Sequence, residues 1–442
     1  MKQNKQIFIC SDCGVEYSKW QGKCDGCNNW NSIKEFRVSK NNIKNTDRQE
    51  AIPINLKKIK NEGGIDNVYS TGILELDRVL GKGIVRGSVV LLAGEPGIGK
   101  STLFTQSIGK IGGLYVAGEE SINQVFLRAE RLGAEMDLID VIETNDIESI
   151  IMAVERTKKV YNLVIVDSIQ MMTSPTAVGL AGSVSQIRES TFRLIEMAKK
   201  NKVAVVIIGH ITKSGEIAGP KLLEHMVDVV LNFEGERNGE VRLVRVKKNR
   251  YGGTDEVGLF KMTSNGLMEM GEKVDLTLCE TERVGAVTSV VVEGNRPILV
   301  EVQALVTESF GVAPKRVFRG VDFNRGQLMV AVLQKSLNVP LYKYDVFVTV
   351  AGGIKVIDPA IDLAVMVALY SSYKNKPINT KGLVFAGEVS LLGGVIFLVS
   401  RNARFLVLWP ILCPIPASRQ INARLKERCK RYTVSNLLFQ NP

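Results

Sequence analysis

The apolar residues of the chain gather into short unbroken runs. Ser88-Val-Val-Leu-Leu-Ala93 has no polar face after its serine, the texture of a strand buried on both sides in a parallel sheet. Gly113-Leu-Tyr-Val-Ala-Gly118, Leu163-Val-Ile-Val-Asp167 and Val203-Ala-Val-Val-Ile-Ile208 repeat it and predict further strands of a doubly wound α/β core. Beyond about Asp275 the pattern changes. Val287–Val292, Ile298–Ala304, Val346–Val350 and Leu383–Ala386 read as strands around a helix that begins near Pro359 and runs through Leu369, an α+β arrangement belonging to a separate domain. From Arg37 to Val68 the chain is polar and without sustained periodicity, and reads as a linker. The expected organisation is a small N-terminal unit at 1–36, a linker at 37–68, an α/β core at 69–274 and an α+β domain at 275–442.

Composition bounds this picture. With 442 residues, 45% hydrophobic and 23% charged, the chain is neither disordered nor a small disulfide scaffold, and it is long enough for two or three domains. A formal net charge of +11 points to a polyanionic partner, either nucleic acid or a membrane surface. The excess sits at the ends: residues 1–70 carry 12 basic and 8 acidic side chains, residues 401–442 carry 8 and 1, and the span between balances at 37 of each. The first 30 residues hold four cysteines where a signal peptide needs an apolar segment. No run reaches the roughly 18–20 apolar residues of a membrane span, and the longest candidate, Phe405–Ser418, is interrupted by Pro410, Pro414 and Pro416. A cytoplasmic protein is expected, in which cysteines serve as metal ligands or buried apolar residues more often than as disulfides.

Cys10, Cys13, Cys24 and Cys27 form two Cys-x-x-Cys knuckles separated by ten residues. Four thiolates at that spacing make the tetrahedral soft-ligand set that zinc prefers, with Gly14 and Gly26 permitting the tight turns; a pair of disulfides is the weaker alternative. Sulfur in all four places leaves no position for a catalytic water, so the zinc is expected to be structural. Trp20, Trp30 and Phe36 are expected to cover it as a small core.

The first buried run leads directly into Gly94-Glu-Pro-Gly-Ile-Gly-Lys-Ser101, a phosphate-binding loop in its required strand-to-helix context. Gly94, Glu95, Pro96, Gly97, Ile98, Gly99, Lys100, Ser101 and the adjoining Thr102 are the expected ATP-binding residues. The glycines let backbone N–H groups turn inward around a polyphosphate, Lys100 bridges the β- and γ-phosphates, and Ser101 ligates Mg2+. Asp167, at the end of its strand, is the expected acid on the metal side. Glu119 and Glu120 follow the strand ending at Gly118, and one of them, with Glu119 favoured, is expected to polarise the attacking water. A solvated helix start is the competing account of the pair. His210 ends another strand on the ligand side of the sheet and is either a nucleotide sensor or a structural histidine; His225 is expected to be structural.

Arg242, Arg245, Lys247, Lys248 and Arg250 fall within nine residues that contain no acid, interleaved with Leu243, Val244 and Val246. An edge strand with a solvated basic face and a contact for phosphates of nucleic acid or of a neighbouring subunit's nucleotide are both open readings.

Together these motifs resemble the bacterial RadA (Sms) family of DNA repair ATPases. The resemblance rests on the four-cysteine knuckle with Trp20 and Trp30-Asn31, on Ser70-Thr-Gly-Ile-Leu-Glu-Leu-Asp77 ahead of the loop, and on Gly118-Glu-Glu-Ser121, Ile217-Ala-Gly-Pro220 and Lys248-Asn-Arg-Tyr-Gly252. The last is similar to the family's Lys-Asn-Arg-Phe-Gly signature, with Tyr251 in the Phe place. The resemblance implies a RecA-like ATPase core that forms hexameric rings, binds single-stranded DNA and promotes branch migration alongside the RecA recombinase. It implies ATP, Mg2+ and Zn2+ as cofactors, and roles in hydrolysis or DNA contact for Lys248 and Arg250, with Arg250 able to reach a neighbour's nucleotide. KaiC-type regulatory ATPases, which share the paired glutamates and act on protein partners, are the alternative. The C-terminal part resembles a Lon-protease-like domain, but Ala360 stands where the nucleophilic serine would be and Ile396 where the lysine would be, so no proteolysis is expected. After about Val395 the chain departs from the family pattern, running into Pro410–Pro416 and the basic segment Arg419–Arg431, and a divergent end to that domain is expected.

Overall fold

The computed structural model describes residues 6–10, 16–17, 19–25, 30–31, 33–37, 67–210, 222–235, 239–271, 274–277, 283–311, 313–378 and 383–396. Cys13, Cys27, the expected linker up to residue 66, the Ile217–Pro220 motif and everything beyond residue 396 lie outside the described residues. The chain forms two compact units, one of residues 1–234, 243–254 and 262–269, the other of residues 235–242, 255–261 and 270–442. Among the described residues no helix is long and apolar enough to cross a membrane.

The first unit begins with a three-stranded antiparallel ribbon in which Gln6–Cys10 lies between Glu16–Tyr17 and Ile33–Arg37. Cys10 and Cys24 are buried with Ile33, and Phe8 and Tyr17 pack against them. Among the described residues these five side chains make the interior, which corrects the expected role of the indoles as its core: Trp20 and Trp30 are 59% and 72% exposed. The side chain of Phe36 lies outside the described residues.

The rest of the unit is built on a parallel sheet. Helix α1 (Leu74–Leu80) is followed by β1 (Val89–Gly94), α2 (Lys100–Ile111), β2 (Gly113–Ala117), α3 (Ile122–Arg131), β3 (Ile139–Glu143), α4 (Ile147–Arg156), β4 (Leu163–Asp167), α5 (Val184–Asn201), β5 (Ala204–His210), the short α6 (Leu222–Met226), β6 (Val229–Glu234) and β7 (Val241–Asn249). The strand order is β7-β6-β1-β5-β4-β2-β3, all parallel except the antiparallel β7. Because side chains alternate across a strand, Val89, Leu91, Ala93, Val164, Val166, Val205 and Ile207 share one face. They form a single core with Ile147, Ile150 and Ile151 of α4 and Ile187, Leu194 and Met197 of α5. Each fully buried aliphatic side chain there contributes about 1.5–3 kcal/mol. The alternate residues of the same strands, Val90, Leu92, Leu163, Ile165, Val206 and Ile208, are also buried, as expected for runs that never alternate with polar positions.

The Ser70–Asp77 motif has a structural explanation. The Asp77 carboxylate accepts from Thr71 N and Thr71 Oγ1, both at 2.7 Å, and from the Ser70 hydroxyl. The segment so fixed is tied to α2 through Ser107 Oγ, which donates to Thr71 O at 3.0 Å, and Lys110 Nζ, which donates to Gly72 O at 2.6 Å.

The second unit has a mixed sheet of β8 (Val274–Leu276), β9 (Ala286–Glu293), β10 (Arg296–Glu308), β11 (Arg316–Arg319) and β12 (Tyr344–Val350), with helices α7 (Phe323–Leu337) and α8 (Asp362–Lys374). The expected strand at Leu383–Ala386 does not form a ladder. Among the described residues Phe385 alone ties it to β9, its N–H donating to Thr288 O at 2.9 Å and its carbonyl accepting from Ser289 Oγ at 2.8 Å. The adjoining Gly387 turns to the start of α8, donating to Ala360 O at 2.7 Å and accepting from Leu363 N at 3.1 Å. Ala360 sits in a helical turn, Pro359–Ile361, that opens α8, and Asp358 accepts from its N–H at 2.9 Å. The buried Asp362 is held by a bidentate pair of 2.6 Å bonds from Arg325.

Candidate nucleotide site

The site stands at the carboxyl ends of β1, β2, β4 and β5, which the parallel ladders bring level: His210 pairs with Gly94, Ile208 with Asp167, and Ala117 with Asp167. Gly97 and Gly99 take positive φ of 77° and 112°, a region closed to most side chains, and so turn the loop between β1 and α2. A Cβ at Gly97 would meet nothing within 4 Å, so the loop faces open space there.

Lys100 opens α2 with its side chain folded under the loop. Its Nζ donates to Gly94 O and Glu95 O, both at 2.8 Å, and to His210 Nδ1 at 3.1 Å. Burial pushes its pKa down to about 8, against the opposing pull of Asp167, Glu119 and Glu95. A desolvated ammonium in a ring of backbone carbonyls, beside N–H groups at a helix N-terminus, is suited to a phosphate.

Glu119 and Glu120 are adjacent in sequence and separate in role. Glu119 accepts from the Ser168 hydroxyl and, at 3.1 Å, from His210 Nε2. With Nδ1 accepting from Lys100, His210 carries its proton on Nε2 and bridges the loop lysine to Glu119. The His210 bond, with help from Ser168 and Lys100 and against burial, holds the Glu119 carboxyl below its ordinary range. Glu120 instead pairs with Arg128. Arg128, on α3, also donates to Thr105 Oγ1 of α2 at 3.1 Å and to Tyr115 Oη at 2.8 Å, with its guanidinium 5.3 Å from the Tyr115 ring centroid. The Tyr115 hydroxyl in turn donates to Asp167 Oδ2, and burial together with Asp167 raises its pKa far above normal. Asp167 is 6% exposed, and the peptide bond to Ser168 is cis.

The sequence did not mark Tyr115, Arg128 or Thr105. Tyr115 hides inside an apolar run, and Arg128 sits on a helix where a basic residue ordinarily faces solvent. His210 had two readings, and its two ring contacts place it inside the site.

Lys248 and Arg250 are not brought to this site. Asp228 N donates to Val89 O and Arg250 N to Asp228 O, so Arg250 lies at the amino end of β1. Gly94 is five residues further along, roughly 16 Å at strand rise. Arg250 pairs with Asp228 at 3.2 Å and remains 53% exposed in its side chain. Lys248 Nζ donates to the carbonyls of Glu224, His225 and Val227 at 2.8, 3.1 and 2.7 Å, closing the end of α6. Burial first, then the Arg250 charge, lowers its pKa. The solvated basic face, one of the two open readings of this stretch, does not extend to Arg242: it is 4% exposed, and its Nη1 donates to the carbonyls of Gly239 and Val241.

A loop that fits polyphosphate, a buried acid and a hydrogen-bonded glutamate at the ends of neighbouring parallel strands define a RecA-like P-loop ATPase. A family model described as "ATPase: KaiC" matches residues 69–158, and one described as "Rubredoxin metal binding domain" matches residues 8–35. The chain is 41% identical over 409 residues to the DNA repair protein RadA of Bacillus subtilis, covering 89% of this chain and 88% of that protein. It is 43% identical over 412 residues to the protein of the same name from Campylobacter jejuni, covering 91% of each. A solved KaiC-like protein from Pyrococcus horikoshii aligns at a TM-score of 0.39 and 19% identity, over 46% of this chain and 98% of that one. The chain belongs to the RadA family of DNA repair proteins.

It is thus an ATPase of DNA repair that uses ATP, Mg2+ and zinc. The described cysteines fit the zinc: Cys10 and Cys24 are 1% and 0% exposed, and Tyr17 Oη lies 3.2 Å from the Cys24 sulfur. Four thiolates around such an ion cross-link a ribbon too small to hold itself by burial alone.

Proposed function

We propose that the protein is a DNA-stimulated ATPase motor that binds single-stranded and branched DNA and promotes branch migration of recombination intermediates, working as a ring alongside the RecA recombinase. Glu119 is the base that orients the attacking water. His210 and Ser168 keep it ionised and aimed, and its hydrogen bonds to both support this choice over Glu120, whose carboxylate is neutralised by Arg128. Lys100 exchanges its loop carbonyls for phosphate oxygens. Gly94, Glu95, Gly97, Ile98, Gly99 and Thr102 surround the phosphates with backbone N–H groups, Pro96, which has none, shapes the turn, and Ser101 and Asp167 would hold the metal. Mg2+, when bound, neutralises charge that develops on the transferred phosphoryl group. Tyr115 and Arg128 fix the Asp167 carboxylate.

The observation that carries the ring is the division of cationic groups between the two ends of one sheet. Arg250 is exposed and too far from its own loop to serve it, which suits it to a neighbouring copy's nucleotide, and a hexamer supplies such neighbours. Lys248 then acts through Arg250 and the end of α6. Ala360 has no hydroxyl to attack a peptide, and the second unit is read as an assembly and DNA-binding platform. The KaiC-type match over residues 69–158 favours a second reading, a regulatory ATPase acting on protein partners. ATP turnover measured with and without single-stranded DNA decides between them. Stimulation accompanied by salt-dependent DNA binding is expected; their joint absence supports the second reading.

A further inference from the structure

Two indoles stand in water on the N-terminal ribbon, Trp20 at 59% and Trp30 at 72% exposure. Each carries a large apolar area that a small fold ordinarily hides. Neither hangs loose. Trp20 Nε1 donates to Ile33 O at 3.1 Å, and Trp30 is bridged to Lys23 in an antiparallel pair, with Asn31 N donating to Gly22 O at 2.8 Å beside it. Both rings flank Gly22: a Cβ there would lie 3.6 Å from Trp30 and 3.9 Å from Trp20. Lys23 Nζ lies 6.0 Å from the Trp30 ring centroid, and Lys19 is exposed next to Trp20. The acid of this stretch, Asp25, accepts from Gln21 at 2.8 Å.

We propose that Trp20 and Trp30 form a base-stacking platform for single-stranded nucleic acid, with Lys19 and Lys23 on its phosphates; this rests on the single-stranded DNA reading above and locates a second contact away from the motor core. The chemistry favours a strand over a protein. Docking surfaces for proteins have an apolar core within a polar rim. Here two aromatic faces, one held by its indole N–H and the other on a bridged backbone, are set directly among Gln21, Gly22 and two lysines. Rigid π faces beside cations hold bases of any sequence, at about 1–3 kcal/mol per stacked base.

The test uses the full chain with Trp409→Phe, so that ribbon indoles alone report, and a labelled oligo-dT as probe. Addition of oligo-dT should quench the tryptophan fluorescence, and Trp20→Ala with Trp30→Ala should weaken oligo-dT binding roughly ten- to hundredfold while zinc content and DNA-free ATP turnover stay unchanged. Trp20→Phe with Trp30→Phe should recover most of the affinity. Unquenched fluorescence on a strand that does bind, or full affinity in the alanine pair, overturns the platform and leaves the motor reading standing. An alanine pair that binds oligo-dT normally yet loses DNA-stimulated turnover only when recombinase is present makes the surface a protein contact and also overturns it. Failure of the unsubstituted chain to bind oligo-dT at any salt overturns the single-stranded DNA reading and the platform with it.

Discussion

Lys100 and Lys248 belong to the same unit and both rest their ammonium groups on backbone carbonyls, Lys100 buried and Lys248 half-buried. Burial lowers both pKa values. What differs is what the carbonyls belong to. Acids pull on both, Asp167, Glu119 and Glu95 on Lys100 and Asp228 and Glu224 on Lys248, where the Arg250 charge opposes them. The carbonyls around Lys100 belong to a loop that faces open space, so phosphate can replace them. The three around Lys248 close a helix end, so withdrawing it leaves the helix unsatisfied. One lysine is set to exchange partners and the other is cement. In the proposed ring the functional charge of the Lys248–Gly252 motif would be Arg250, whose side chain is exposed beside Asp228.

The comparison breaks most readily at Lys100. Lys100→Ala is expected to lower ATP turnover by roughly 100- to 1000-fold, with the thermal transition unchanged, since a desolvated charge is removed; near-normal turnover would reject the loop as the ATP site. Glu119→Gln should cost about 100-fold or more in turnover with ATP binding retained, and Glu120→Gln less than about tenfold. The reverse order would hand the role of base to Glu120. Lys248→Ala should destabilise the unit by about 1–3 kcal/mol in denaturant unfolding and lose DNA-coupled activity, while ATP still binds. Loss of ATP binding would make the cluster a nucleotide site of its own chain.

A smaller effect sharpens the Lys100 side. Bound phosphate stabilises the ammonium, so its pKa rises from about 8 on binding, and a proton is taken up wherever the free lysine is partly neutral. ATP affinity should then fall about three- to fourfold between about pH 7 and 8.5. Calorimetry in buffers of different ionisation heat should register net proton uptake near pH 8; none there would mean that Lys100 is fully charged before ATP arrives. In the nucleotide-free protein the sign for folding is the opposite. The unfolded lysine binds more protons between pH 8 and 10.5, so this group's penalty is relieved as pH rises through that window.

Much of the core was legible because its strands never alternate: the runs at Leu163–Asp167 and Gly113–Ala117 match the strands seen. The loop, Asp167 and Glu119 could be named because their chemistry demands fixed residues at strand ends. What stayed hidden depends on pairing across the fold. Nothing local in Tyr115 says that its hydroxyl meets Asp167, and nothing in Arg128 says that it neutralises Glu120. Leu383–Ala386 has a strand's composition, but the start of α8 takes the hydrogen bonds that flank it. Trp20 and Trp30 mislead in the opposite direction, since aromatic residues beside cysteines have a core's composition, yet five other side chains make the interior and both indoles are exposed.

The central claim is that each ATP is turned over by residues of two copies, Lys100 and Glu119 from one and Arg250 from the next. Mixing Lys100→Ala protein with Arg250→Ala protein tests it, because a mixed ring contains junctions where an intact loop meets an intact arginine. Single-stranded-DNA-stimulated turnover well above the sum of the two separate variants is the predicted result. A mixture no more active than that sum would contradict the account.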